Sequence, residues 1–96
     1  MEATADNVIF VGEKPFMNYV SAVVIQFTMK DAQELTIKAR GKYISRAVDI
    51  AEVAARQFLS NRIQAETVTI GSEDFVTEQG TPVRVSTIEI LMKRIP

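Results

Sequence analysis

The residues that could carry chemistry are unevenly supplied along this chain of 96 residues. Histidine and cysteine are both absent, which removes the commonest general base, the activated thiol and the soft metal ligands. Acid–base work would fall to carboxylates. Asp49 and Glu52 stand three apart on one helix face, and Glu73 and Asp74 are adjacent in a turn, with nothing at metal-ligand spacing beside either pair. Both pairs read as solvated charge, and no enzyme activity, metal or cofactor is expected. The remaining chemistry is basic. Lys38-Ala-Arg-Gly-Lys-Tyr-Ile-Ser-Arg46 holds Lys38, Arg40, Lys42 and Arg46 without an acid, in a chain whose 11 bases and 12 acids sum to −1. That local concentration, not the net charge, points to phosphate, and Gly41 in its middle lets backbone approach a phosphate closely. A second candidate is Gly12-Glu13-Lys14-Pro15. It has one glycine and lacks the Lys-Ser/Thr ending of a P-loop, but it opens a helix, where free N–H groups and the positive dipole end favour an anion.

The elements that must position these residues follow from periodicity. Asn7-Val-Ile-Phe-Val11 is a compact β-branched and aromatic run closed by Gly12, as in a covered strand. Pro15 fits the first position of a helix running to about Met29, with Phe16, Val20, Val23, Val24 and Phe27 as its apolar stripe. Glu34 to Ala39 alternates apolar and polar side chains, which predicts a second strand. Beyond Gly41, Ile44, Ala47, Val48, Ala51, Ala54, Ala55 and Phe58 mark a long amphipathic helix, while Ile50 and Val53 form a second strip that is either core or a partner surface. Ile63 to Ile70 and Val83 to Ile95 read as a long hairpin, with a loop over about Gly71 to Arg84 signalled by Gly71-Ser-Glu-Asp and Glu78-Gln-Gly-Thr-Pro82.

The order β-α-β-α-β-β predicts an α+β two-layer sandwich, a mixed four-stranded sheet with both helices on one face. Residues 1–6 are expected to be a frayed tail and 7–96 a single domain. In such a topology the loops after the first two strands emerge at the same end, so Lys14 should stand beside Arg40 and Lys42. The longest apolar run, Tyr19 to Ile25, is interrupted by a serine and falls short of the roughly 20 residues a membrane helix needs. The acidic N-terminus has the wrong charge for a leader, so an intracellular, cytoplasmic protein is expected.

Six segments in one order resemble a known family: Asn7-Val to Val11-Gly12, Lys14-Pro-Phe-Met-Asn-Tyr-Val20, Ile37-Lys-Ala-Arg-Gly-Lys42, Ile44-Ser-Arg-Ala-Val-Asp49, Arg56-Gln-Phe58 and Val85-Ser-Thr-Ile-Glu-Ile90. They resemble the Alba chromatin proteins, whose fold is similar to the C-terminal domain of translation initiation factor three. The resemblance implies an archaeal, chromosome-associated homodimer or heterodimer that coats double-stranded DNA without sequence preference and also binds RNA, with no cofactor. It places Lys14, Arg40 and Lys42 on phosphates, with Asn18 and Tyr19 beside them; Arg46 and Arg84 are expected from their charge as further contacts to the sugar-phosphate backbone. Phe58 matches an aromatic position used between dimers, and the hairpin arm would follow the minor groove. The chain departs from the family where Glu13 replaces the first of two lysines, an acetylation target, and where the arm carries Glu73, Asp74 and Glu78. Two other roles remain open at this point. One is an RNA-binding module in RNA maturation or translation, in which Tyr19 stacks on an unpaired base. The other is an acidic partner that forms mixed dimers with basic relatives.

Overall fold

A computed structural model of the protein describes residues 3–4 and 7–96. The expected tail falls at residues 1, 2, 5 and 6 outside the described residues, whereas β1 (Ala3–Thr4) pairs antiparallel with β2 (Val8–Phe10). Next come α1 (Phe16–Thr28), β3 (Glu34–Arg40), α2 (Ile44–Val53), β4 (Ile63–Val76) and β5 (Pro82–Arg94). The sheet order is β1-β2-β3-β5-β4. β2 runs parallel to β3, and β5 pairs antiparallel with both β3 and β4. This is the expected β-α-β-α-β-β sandwich, with the short β1 added at one edge.

Alternation along the strands decides what the helices cover. Leu35, Ile37 and Ala39 on β3 and Ile88, Ile90 and Met92 on β5 are buried, and with Ile9 they meet Val20, Val23 and Phe27 of α1 and Ala47, Ile50 and Ala51 of α2. The side chains between them, including Phe10, Lys38, Arg40, Thr87 and Glu89, lie on the opposite, uncovered face.

Pro15 caps α1 from just outside, with its carbonyl accepting the Asn18 N–H at 3.0 Å. At the other end Asp31 takes a positive φ of 54°, and the Arg94 guanidinium donates to the Phe27 and Ala32 carbonyls, which would otherwise lack partners. α2 begins after a 3-10 turn over Gly41–Tyr43, where Gly41 has φ 58° and is the residue type suited to it. It ends in a π-helical turn, Ala54–Phe58. That wider turn rotates its last residues away from the α-helical phase, which explains one difference from the periodicity: Phe58, read as part of the apolar stripe, is exposed. The stripe is also rotated further up. Ile50 is fully buried and Val53 packs against the core, so the second strip is core, while Val48 faces outward. The Glu52–Arg56 pair forms at 2.6 Å on the exposed side, worth a few tenths of a kcal/mol.

The hairpin is longer and more regular than its composition suggests. Instead of a loop from Gly71 to Arg84, the ladder continues through Glu73↔Val85, Asp74↔Arg84 and Phe75↔Val83 to Val76↔Pro82, leaving a turn of residues 77–81 with Gly80 at φ 83°. Cross-strand pairing overrides the turn-forming character of Gly71-Ser-Glu-Asp. β3 ends opposite Thr87, so residues 72–76 and 82–86 form a two-stranded ribbon projecting past the rest of the sheet. The molecule is accordingly elongated, 46 × 24 × 22 Å.

Candidate nucleic-acid interface

Parallel pairing of β2 with β3 delivers two strand-to-helix loops to one end of the molecule. Val11 N–H bonds to the Lys38 carbonyl at 2.9 Å, so Gly12–Pro15 and Arg40–Tyr43 leave the sheet side by side. Lys14, Asn18, Arg40 and Lys42 are all exposed there. The Lys42 ammonium sits 5.4 Å from the Tyr43 ring centroid, a cation–π contact that limits where the side chain swings.

Two residues expected to touch nucleic acid have a different position. Tyr19 is 2% exposed. Its hydroxyl oxygen accepts the Gly12 N–H at 2.9 Å and the Lys14 N–H at 3.2 Å, and the Arg46 guanidinium lies 5.5 Å from its ring centroid. A ring so enclosed offers no face to a base, which corrects the stacking role. Arg46 itself donates to the Gly12 carbonyl. It is half-buried and ties the second helix to the first loop. Both side chains hold the first loop in place from beneath.

The basic run also acquires acids that are distant in sequence. The Arg40 guanidinium pairs with Glu73 on the arm at 2.8 Å, and Lys38 approaches Glu89 to 3.9 Å. Arg84, the base of the arm, is engaged by Asp74 at 2.8 Å. These pairs are not legible locally, because they follow from the register Lys38↔Glu89 and Asp74↔Arg84 and from the arm lying beside the end of β3. Lys38 is partly exposed and the other side chains well exposed, so each pair contributes at most about 1 kcal/mol. Phe58, at the end of the π-helical turn, lies instead against α1, where Met17, Val20, Val24 and Ile25 form a shallow apolar groove with it. Among the described residues no three or more His, Cys, Asp or Glu side chains gather to hold a metal, and no helix is long and apolar enough to cross a membrane.

The family model described as Alba matches residues 7–72. The chain belongs to the Alba family. It is 53% identical over 89 residues to the DNA/RNA-binding protein Alba of Methanocella arvoryzae, covering 93% of this chain and 91% of that protein. It is 48% identical to DNA/RNA-binding protein Alba 1 of Archaeoglobus fulgidus, covering 94% and 98%. Among solved structures, Alba from Thermoplasma volcanium superposes with a TM-score of 0.84 at 46% identity, over 92% of this chain and all of that one. ALBA1 from Trypanosoma brucei shares the fold at a TM-score of 0.72 and 18% identity, over 95% of this chain and 71% of that one. In this chain the acid that engages the basic loops is Glu73 on the arm, while Glu13 is exposed next to Lys14 in the first loop.

Proposed function

We propose that this Alba-family chain is an architectural nucleic-acid-binding protein that coats double-stranded DNA with little sequence preference and associates with the chromosome in the cytoplasm. The observation that carries the reading is the convergence of Lys14, Arg40 and Lys42 on adjacent strand-to-helix loops, with Asn18 at the start of α1 beside them. Side chains of this kind hold sugar-phosphate backbone, which positions a protein on nucleic acid without reading bases. The names of the relatives, DNA/RNA-binding protein Alba, point the same way. Duplexes of unrelated sequence should therefore be retained about equally, and log affinity should fall linearly with log salt by roughly 0.9 per phosphate contact. Filter retention of two such duplexes across a salt series checks this. A marked preference for one sequence, or no salt dependence, contradicts it.

The working unit in this reading is a dimer. Val68 and Ile70 share a sheet face with the buried Ile90 and Ile88 but lie exposed on the outer strand β4, and Val48 is exposed on α2, which packs over β3 and β5. A second chain, the same or a relative, would cover this strip, and Phe58 with its groove would serve contacts between dimers.

A second reading, mixed dimers with a more basic relative, is favoured by the acids that engage Arg40 and Arg84. A partner without them would restore phosphate contacts. A mixture with a basic relative should hold DNA to higher salt than this chain alone, and equal retention in a salt-gradient column would sink the idea.

A further inference from the structure

The uncovered face of the sheet carries a depression of about 210 Å³ at the foot of the arm, lined by Phe10, Lys38, Arg40, Glu73, Thr87 and Glu89 among others. It is smaller than the roughly 300 Å³ at which drug-sized pockets begin, a size suited to a single planar ring. Phe10 on β2 is 46% exposed there, although it is a large aromatic in a strand whose neighbour Ile9 is fully buried. The Lys38 ammonium lies over that ring, 5.7 Å from its centroid, and pairs with Glu89 at 3.9 Å, so a ring that stacks on this face of Phe10 must move the flexible Lys38 side chain aside. The depression therefore combines a stacking surface, an ammonium donor, a carboxylate acceptor and a hydroxyl at Thr87. Arg40 closes one side and leads directly into the basic loop at Gly41–Tyr43.

We propose that this depression binds one unpaired nucleotide of a single-stranded nucleic acid. The base stacks on Phe10, taking the place of the Lys38 ammonium over the ring, and its polar edge meets the displaced Lys38, Glu89 and Thr87. The phosphate takes the Arg40 guanidinium, displacing Glu73, and the strand continues toward Lys42. A duplex cannot use the depression, since its bases are stacked and paired, so the base site is separate from the grip on double-stranded DNA, and only the path of the strand past Arg40 toward Lys42 is shared with it. The proposal rests on the reading of Arg40 as a phosphate contact. Glu73 sets the affinity of the site: it lies across the same guanidinium at 2.8 Å and competes as an internal anion.

The test is a titration at fixed salt with a single strand carrying 2-aminopurine, in deoxy and ribo forms, and with the matching duplex. With the natural protein the single strand should bind with quenching of the fluorophore, as stacking requires, and the two sugar forms show whether DNA or RNA is preferred. Phe10→Leu keeps an apolar side chain but removes the ring. It should weaken single-strand binding on the order of ten-fold and abolish quenching while leaving the duplex unaffected. Phe10→Tyr should retain both activities. Glu73→Gln should strengthen single-strand binding by up to about five-fold. Photocrosslinking of a 5-iodouracil strand to the natural protein provides a readout independent of any variant's folding, and the adduct should map to Phe10. Equal losses on both nucleic acids for Phe10→Leu, no loss on either, or crosslinks confined to other residues would overturn the proposal. If Arg40→Ala leaves duplex binding intact, the grip reading fails as well; if it weakens duplex binding while Phe10→Leu changes nothing, only the single-strand site is refuted.

Discussion

Replacing Arg40 and Lys42 together with alanine is expected to weaken duplex binding by on the order of 100-fold at near-physiological salt, on the scale of about 1.5 kcal/mol for each charge-assisted hydrogen bond to phosphate that is removed. Both side chains are exposed at the end of β3 and in the turn that follows, so the fold gives up only the exposed Arg40–Glu73 pair and the Lys42–Tyr43 cation–π interaction. The melting temperature should hardly move. The salt dependence separates this effect from a general defect: the log–log slope should become shallower by about 1.8 per chain, two phosphates at roughly 0.9 each. Weakening confined to one sequence, or a fall in affinity with the slope unchanged, would contradict the assignment of these two residues to phosphate. Glu73 enters the comparison. In the natural protein a phosphate must compete with its carboxylate for Arg40, so the measured effect is the difference between two partners and falls below the sum for two unopposed cations.

Tyr19→Phe should lower stability by about 1–3 kcal/mol and loosen the grip, even though the ring is retained. The hydroxyl oxygen accepts both the Gly12 and the Lys14 N–H. Removing it leaves the part-buried Gly12 N–H without that acceptor, while the Lys14 N–H lies in an exposed segment, where water can replace it. For a domain of this size each kcal/mol shifts the melting temperature by roughly 4–8 °C, so thermal unfolding resolves the change easily. Affinity for duplex should fall as well, because the loop carrying Lys14 is no longer held by the anchor that orders it. This variant also separates the two roles considered for Tyr19. A ring that stacked on a base would be replaced by Phe without loss, whereas a hydroxyl that ties down a loop cannot be. An unchanged melting temperature together with unchanged binding would remove the anchoring role.

Much of this molecule is legible in local sequence because its determinants are local. The period-two alternation of Glu34–Ala39 and the helical spacing after Gly41 each describe one element, and the alternation of elements specifies a sandwich in which the two basic loops share an end. Gly41 and Gly80 sit where positive φ is needed, and the charge-rich run from Lys38 to Arg46 marks the basic loop without reference to any tertiary neighbour. Local reading fails where a second segment decides the outcome. Gly71-Ser-Glu-Asp forms strand because β5 lies alongside it in register. Phe58 and Val48 face outward, and Ile50 inward, because a π-helical turn and the seating of α2 on the sheet rotate the stripe.

The same division holds for the site. Lys38 to Arg46 determined by itself that this chain has a basic loop between a strand and a helix, since charge, glycine and periodicity are properties of the contiguous chain. Only the tertiary structure decided which of those charges face solvent and which are engaged: it turned Arg46 and Tyr19 inward to hold the first loop, set Glu89 beside Lys38, and laid Glu73 of the arm on Arg40. The physical reason is range. A residue's type and spacing specify its own element, but its electrostatic partner is whatever the fold brings within a few ångströms, here from a strand more than thirty residues away.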